Sequence, residues 1–199
     1  MTRPPAVYLL QCRLRDDTRV LVLELDDLIA LARHLATPDE FPRPDSLQAH
    51  WEGHPSGRRY AYPSYDLLAP ILPVLAADVL RDELTGSGSL VPLETADDGP
   101  VEHGAYELFV AENLVDCLDV EASSDPENRD GYRRTVAFHA DRLPDTLAFR
   151  VPQIPTLTYW TRTGADRVVD LVGDDVEPVV VWSQDPDLPV HPNPMGTRL

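Results

Sequence analysis

Prolines punctuate this chain, 20 of them in 199 residues. Each one fixes its own φ, lacks a backbone N–H and biases the residue before it away from helical geometry. Many of them sit in loops, which argues for a fold with long irregular connections. The hydrophobic fraction of 43% and the charged fraction of 26% are ordinary for a folded domain. The length is sufficient for a sizeable core. The expected fold is α+β: a mixed, mostly antiparallel sheet with a few short helices packed on it and long Pro-rich loops. A single domain over 1–199 is expected, with 1–63 as a candidate N-terminal subdomain and an irregular tail over 183–199.

Charge narrows the partners. There are 34 acidic residues and 17 basic ones, a net charge of −17. Such a surface repels phosphate backbones, favours a basic protein partner and aids solubility. All the basic residues are arginines. Without lysine there is no Schiff-base chemistry, no pyridoxal-phosphate anchor, no P-loop lysine and no Ser-Lys dyad. No cofactor is expected. The N-terminus lacks the apolar run of a signal peptide and no window reaches membrane-spanning length, so a cytoplasmic protein without membrane association is expected. Cys12 and Cys117, far apart in apolar settings, read as buried free thiols.

In chain order, 6–14 and 19–25 read as a hairpin around the polar turn 15–18. A helix capped by Asp26 or Asp27 runs to Ala36, with Leu28, Leu31, Ala32 and Leu35 on one face. The stretch 40–63 shows little periodicity and reads as a long loop. It carries Phe41, His50, Trp51, His54, Tyr60 and Tyr62. A helix over 76–84 presents Val79, Leu80, Glu83 and Leu84, and 90–93 reads as a strand with Pro92 marking an edge. Residues 106–119 are the apolar centre: Leu108, Phe109 and Val110 as strand, then Leu114, Val115, Cys117 and Leu118 as its buried continuation or a turn of helix. Further strands are expected over 132–140, 148–151, 156–161 and 179–182, with a helix over 164–172. The order helix, turn, Pro-bearing strand occurs twice, at 77–93 and 165–181, which reads as a duplicated unit or a coincidence of short elements.

Candidate chemistry is sparse. Cys117 with His139 and a carboxylate is the most tempting triad, but Asp116 and Asp119 disfavour a thiolate there and Val115 and Leu118 suggest burial. Asp116, Asp119 and Glu121 resemble a metal comb yet lack the glycine and distal glutamate of a calcium loop. His50 and His54 have helical metal-pair spacing, but Gly53 and Pro55 oppose a helix, so loop histidines are favoured over a metal site. Gly86 and Gly88 make only a weak phosphate cradle. Arg58-Arg59 and Arg133-Arg134 read as points pairing with local acids.

Several of these segments together resemble a known family. A helix at 79–84 stands close to Leu90-Val91-Pro92-Leu93. Tyr106-Glu107-Leu108-Phe109-Val110 leads into Asn113-Leu114-Val115-Asp116-Cys117-Leu118-Asp119, followed by Ser123 or Ser124. Phe149-Arg150 precedes a final helix and strand. In this order the chain resembles immunity-protein family eleven of bacterial polymorphic-toxin systems, with 64–182 as the family-like part. It departs from the family at the first helix, entered here through Leu75-Ala76-Ala77-Asp78. The resemblance implies a non-enzymatic cytoplasmic protein that neutralises a cognate toxin protein by direct binding. It carries over no catalytic residues. Asn113, Asp116, Cys117, Asp119, Phe149 and Arg150 are then structural motif residues. Trp51, Tyr60 and Tyr62 in the 40–63 loop are candidate partner-binding anchors, and a homodimer is left open. The alternative is an enzyme or accessory protein of a peptide-modification gene cluster using Cys117 or the loop histidines. A homo-oligomeric scaffold without a toxin partner is the third option.

Overall fold

A computed structural model describes residues 3–64, 70–96, 102–123 and 135–192. In order, these form β1 (Ala6–Cys12), β2 (Thr18–Leu23), α1 (Leu25–Ala36), β3 (Leu47–Glu52), β4 (Arg58–Ser64), β5 (Ile71–Pro73), α2 (Val74–Leu84), β6 (Gly88–Ala96), β7 (Glu102–Ala111), β8 (Ala148–Val151), β9 (Ile154–Thr161), α3 (Arg162–Val172) and β10 (Val176–Ser183). Single 3-10 turns lie at Ala140–Arg142 and Gly173–Asp175. The α+β class is as expected, but the strands divide into two sheets. One has the order β10-β1-β9-β8 and the other β4-β2-β3-β6-β7-β5. The first is antiparallel throughout; the second has parallel pairs at β2/β4 and β3/β6.

Each sheet is buried on both faces, because successive strand side chains point to opposite sides. In β1, Tyr8 and Leu10 enter one core while Val7 and Leu9 enter another. The shared core also takes Ala76, Ala77, Leu80 and Leu84 of α2, and Ala165, Val168 and Val172 of α3. Phe109 of β7 and Trp160 of β9 meet there with ring centroids 5.6 Å apart. On the far side of the six-stranded sheet, α1 packs Leu31 and Leu35 against Leu21, Ala49, Trp51, Leu93 and Leu108. On the far side of the four-stranded sheet, Val7, Leu9, Phe149 and Tyr159 are covered by Cys117, Leu118, Val136 and Phe138.

The expected N-terminal hairpin does not form. The turn is there, with the Thr18 N–H donating to the Arg15 carbonyl (2.9 Å) and the Arg15 N–H donating to Thr18 Oγ1 (2.6 Å). It carries the chain from one sheet into the other. Both edges of β1 are taken, by β10 and β9, so β2 pairs with β3 and β4 instead. The 40–63 segment is likewise not a loop, since it contains β3 and β4. Leu47-Gln48-Ala49-His50-Trp51-Glu52 alternates inward and outward without a break, a period-2 pattern hidden among prolines and glycines on either side. Residues 1–63 therefore supply strands to both sheets.

Three further readings change. In α2 the inward face is Ala76, Ala77, Leu80 and Leu84, and Val79 points to solvent. Two alanines let that face approach the sheet closely. Pro92 does not mark an edge strand, because β6 lies between β3 and β7. Its ladder with β3 begins only at Leu93, so the proline sits in the half of the strand that has β7 alone. Of the expected strand over 132–140, residues 132–134 lie outside the described residues. The rest contributes only an isolated bridge, Phe138 with Leu118.

The repeated helix–strand order has a common topology. β5 and β6 both run antiparallel to β7 and flank it; β9 and β10 do the same around β1. Each unit is thus strand, helix, parallel strand, with one antiparallel strand inserted between. α2 and α3 meet through Arg167, whose Nε donates to Glu83 Oε2 at 3.1 Å.

Candidate functional site

Cys117 is 0% exposed. Burial pushes its thiol up to about 11, and the Asp116 carboxylate pushes the same way. A low-pKa nucleophile needs an exposed, electropositive setting, and this is the opposite. His139 reaches Cys117 through its backbone, its N–H donating to the Cys117 carbonyl at 2.9 Å. Cys12 is also a buried free thiol, pushed up to about 12 by burial and then by Asp175.

The other motif residues hold the same region together. Asn113 Nδ2 donates to Thr146 Oγ1 (2.9 Å), and its carbonyl accepts the Arg150 N–H (2.8 Å). Asp119 Oδ1 accepts the Ala122 N–H (3.0 Å), while the Ser123 hydroxyl donates to the Asp119 carbonyl (2.6 Å) and accepts the Ala137 N–H (2.9 Å). Asp116 Oδ1 accepts from Gln153 Nε2 at 3.3 Å. Phe149 packs edge-on to Phe138 and stacks on Tyr159. Arg150 is 2% exposed. Its Nη1 donates to the Leu35 carbonyl at the end of α1 and to the Pro155 carbonyl, both at 2.6 Å. Burial lowers its pKa. It ties α1 to the four-stranded sheet across 115 positions of sequence.

The three aromatics suggested as anchors are inside the protein. Tyr60 and Tyr62 belong to the shared core, and the Tyr62 hydroxyl donates to the Leu10 carbonyl (3.4 Å), linking the two sheets. Trp51 is 7% exposed, edge-on to Tyr106 and roofed by Arg19 and Arg59, whose guanidinium carbons lie 5.7 and 4.9 Å from its ring centroid. The strand alternation that places Trp51 inside was the signal that a loop reading overlooked. Arg58 pairs with Asp175 at 3.1 Å, whose other oxygen accepts the Ala61 N–H at 2.8 Å. Arg133 and Arg134 lie outside the described residues.

His50 and His54 do not converge. His50, on β3, has Nδ1 2.8 Å from Glu24 Oε1; His54, in the following turn, contacts the Ser56 hydroxyl. Among the described residues no three His, Cys, Asp or Glu side chains are placed to hold a metal ion. None of the described helices is long and apolar enough to cross a membrane.

Two surface features were not anticipated. A cleft of about 480 Å³ lies beside the start of α3, lined by Arg3, Pro5, Leu143, Asp145, Arg162 and Asp166 among others. Of its charges, Arg3 pairs with Asp166 (3.5 Å) and Arg162 with Asp185 (3.0 Å). The second is the outer face of α2, where Leu75 is 79% and Val79 55% exposed. Beside them Arg81 is held by Asp78 (2.7 Å) and Glu107 (2.9 Å). The hydrogen bond to Asp78 and the charge of Glu107 raise the Arg81 pKa. No protein-family model matches the chain, and no curated protein matches it in sequence.

Proposed function

We propose that the protein is a non-enzymatic binding protein that neutralises a cognate bacterial toxin by direct contact in the cytoplasm. The family part of this reading comes from the sequence resemblance. The observation that carries the binding part is the state of the arginines on a chain of net charge −17. Arg3, Arg43, Arg58, Arg81, Arg162 and Arg167 are each bound to a carboxylate of the protein itself. These pairs hold six guanidiniums against the protein's own acids and leave the net charge unchanged at −17. The field of that charge steers a basic partner into encounter and repels other acidic surfaces, so it sets approach rate and partner choice. Thiol chemistry draws no support from a buried Cys117 whose pKa is raised.

The test is to read the neighbouring gene and to co-express this protein with any toxin domain that it encodes. The expected outcome is survival only when this protein is present, and recovery of a stoichiometric complex. Its association rate should fall steeply with ionic strength while dissociation changes little. Death of cells that contain abundant folded protein, with no complex formed, would overturn the reading.

A further inference from the structure

We propose that the outer face of α2 is the docking surface of this protein, and that its occupant is a basic protein surface bearing an apolar projection. The inference rests on the binding reading above and specifies where the contact is made. Leu75, Asp78, Val79 and Asp82 recur at i, i+3, i+4 and i+7, so they form one continuous stripe on a helix. All four are exposed. The stripe faces away from Ala76, Ala77, Leu80 and Leu84, which already seat α2 in the core. Leu75 and Val79 thus contribute nothing to that seating, yet stand next to each other in water.

The charge around them selects the occupant. The exposed carboxylates of Asp78 and Asp82 flank the pair, and the single guanidinium of Arg81 is held by Asp78 and by the largely covered Glu107. On the next turn Glu83 is engaged by Arg167 of α3. An apolar centre with a polar, charged rim is the usual build of a protein interface, and this rim is acidic. A second copy of the chain would bring the same acidic rim and another −17 of charge against it. A basic, heterologous partner meets neither obstacle.

The probe is the purified toxin domain that the co-expression test identifies. Replacing both apolar residues (Leu75→Glu with Val79→Glu) should weaken binding at least ~100-fold, chiefly through faster dissociation, because central apolar anchors carry most of the affinity of an interface. Replacing Asp78→Asn with Asp82→Asn should slow association several-fold. The control is Leu25→Glu with Ile29→Glu, the exposed apolar pair on α1, which should leave binding unchanged. Urea midpoints of all three variants, measured alone, report whether the fold survives. Wild-type binding together with undiminished binding by a folded Leu75/Val79 variant overturns the docking surface and leaves the toxin-binding reading intact. Failure of the wild-type chain to bind the toxin overturns both. A wild-type dimer in sedimentation that the Leu75/Val79 variant abolishes assigns the face to a second copy and overturns the basic partner.

Discussion

Arg150 illustrates how one residue can have a purely architectural importance. Burying a cation is costly, and here two carbonyls receive it while the charge of Glu112 favours it. Arg150→Met should remove both hydrogen bonds and lower stability by about 2–3 kcal/mol, the cost of leaving buried acceptors unpaired, read as a lower urea midpoint. The cysteines make a second prediction. Both thiols should be silent to a disulfide probe in the native protein at pH 8 and should both react in urea. Their pKa values, about 12 for Cys12 and about 11 for Cys117, stand above the ordinary value of 9.0. The folded state therefore holds its thiol protons more tightly than the unfolded state. The resulting stabilisation is complete below pH 9 and is lost as pH rises through about 11 to 12. Urea midpoints at pH 8 and pH 10.5 should differ, with the higher pH less stable. At this scale the sequence was informative about burial. Acidic neighbours and apolar flanks were enough to argue against a reactive Cys117. The destination of Arg150 was not legible, because its acceptors sit on α1 and beyond the following turn.

Among the elements, the two split units share a reliance on close backbone approach. A Cβ on Gly88 would collide with the Val110 carbonyl oxygen on β7, and one on Gly164 with the Leu147 carbonyl oxygen. Neither glycine adopts a left-handed backbone, so space alone excludes a side chain. Gly88→Ala and Gly164→Ala should each cost about 1–3 kcal/mol, the range for forcing atoms into packed structure, measured by urea unfolding. Strands β8 and β9 and helix α3 were readable because each carries a compact group of apolar residues: Ala148, Phe149 and Val151; Leu157, Tyr159 and Trp160; Ala165, Val168 and Val172. β3 was not: alanine and histidine, poor advertisements for a strand, share its alternation with one tryptophan. The outward turn of Val79 was also hidden, since Ala76 and Ala77, rather than the larger side chains, decide how α2 sits.

On the scale of the whole molecule, −17 charges on one chain repel one another in the compact state. Added sodium chloride from 20 to 200 mM should raise the urea midpoint by screening that repulsion; a fall would mean that the internal ion pairs outweigh it. The α+β class followed from composition and short periodic runs. The division into two sheets did not, because which strand pairs with which is settled by partners far along the chain. β1 is the clearest case. Its ladder partners lie at 160–161 and 176–183, so the sequence next to β1 says nothing about them.

That pairing has a consequence during synthesis. A growing chain presents β1, a strand apolar on both faces, long before its partners β9 and β10 have left the ribosome. Closure of the four-stranded sheet therefore waits for Val176–Ser183. A chain arrested before Val176 would display an unpaired apolar strand edge, the kind of surface that chaperones hold and proteases clear.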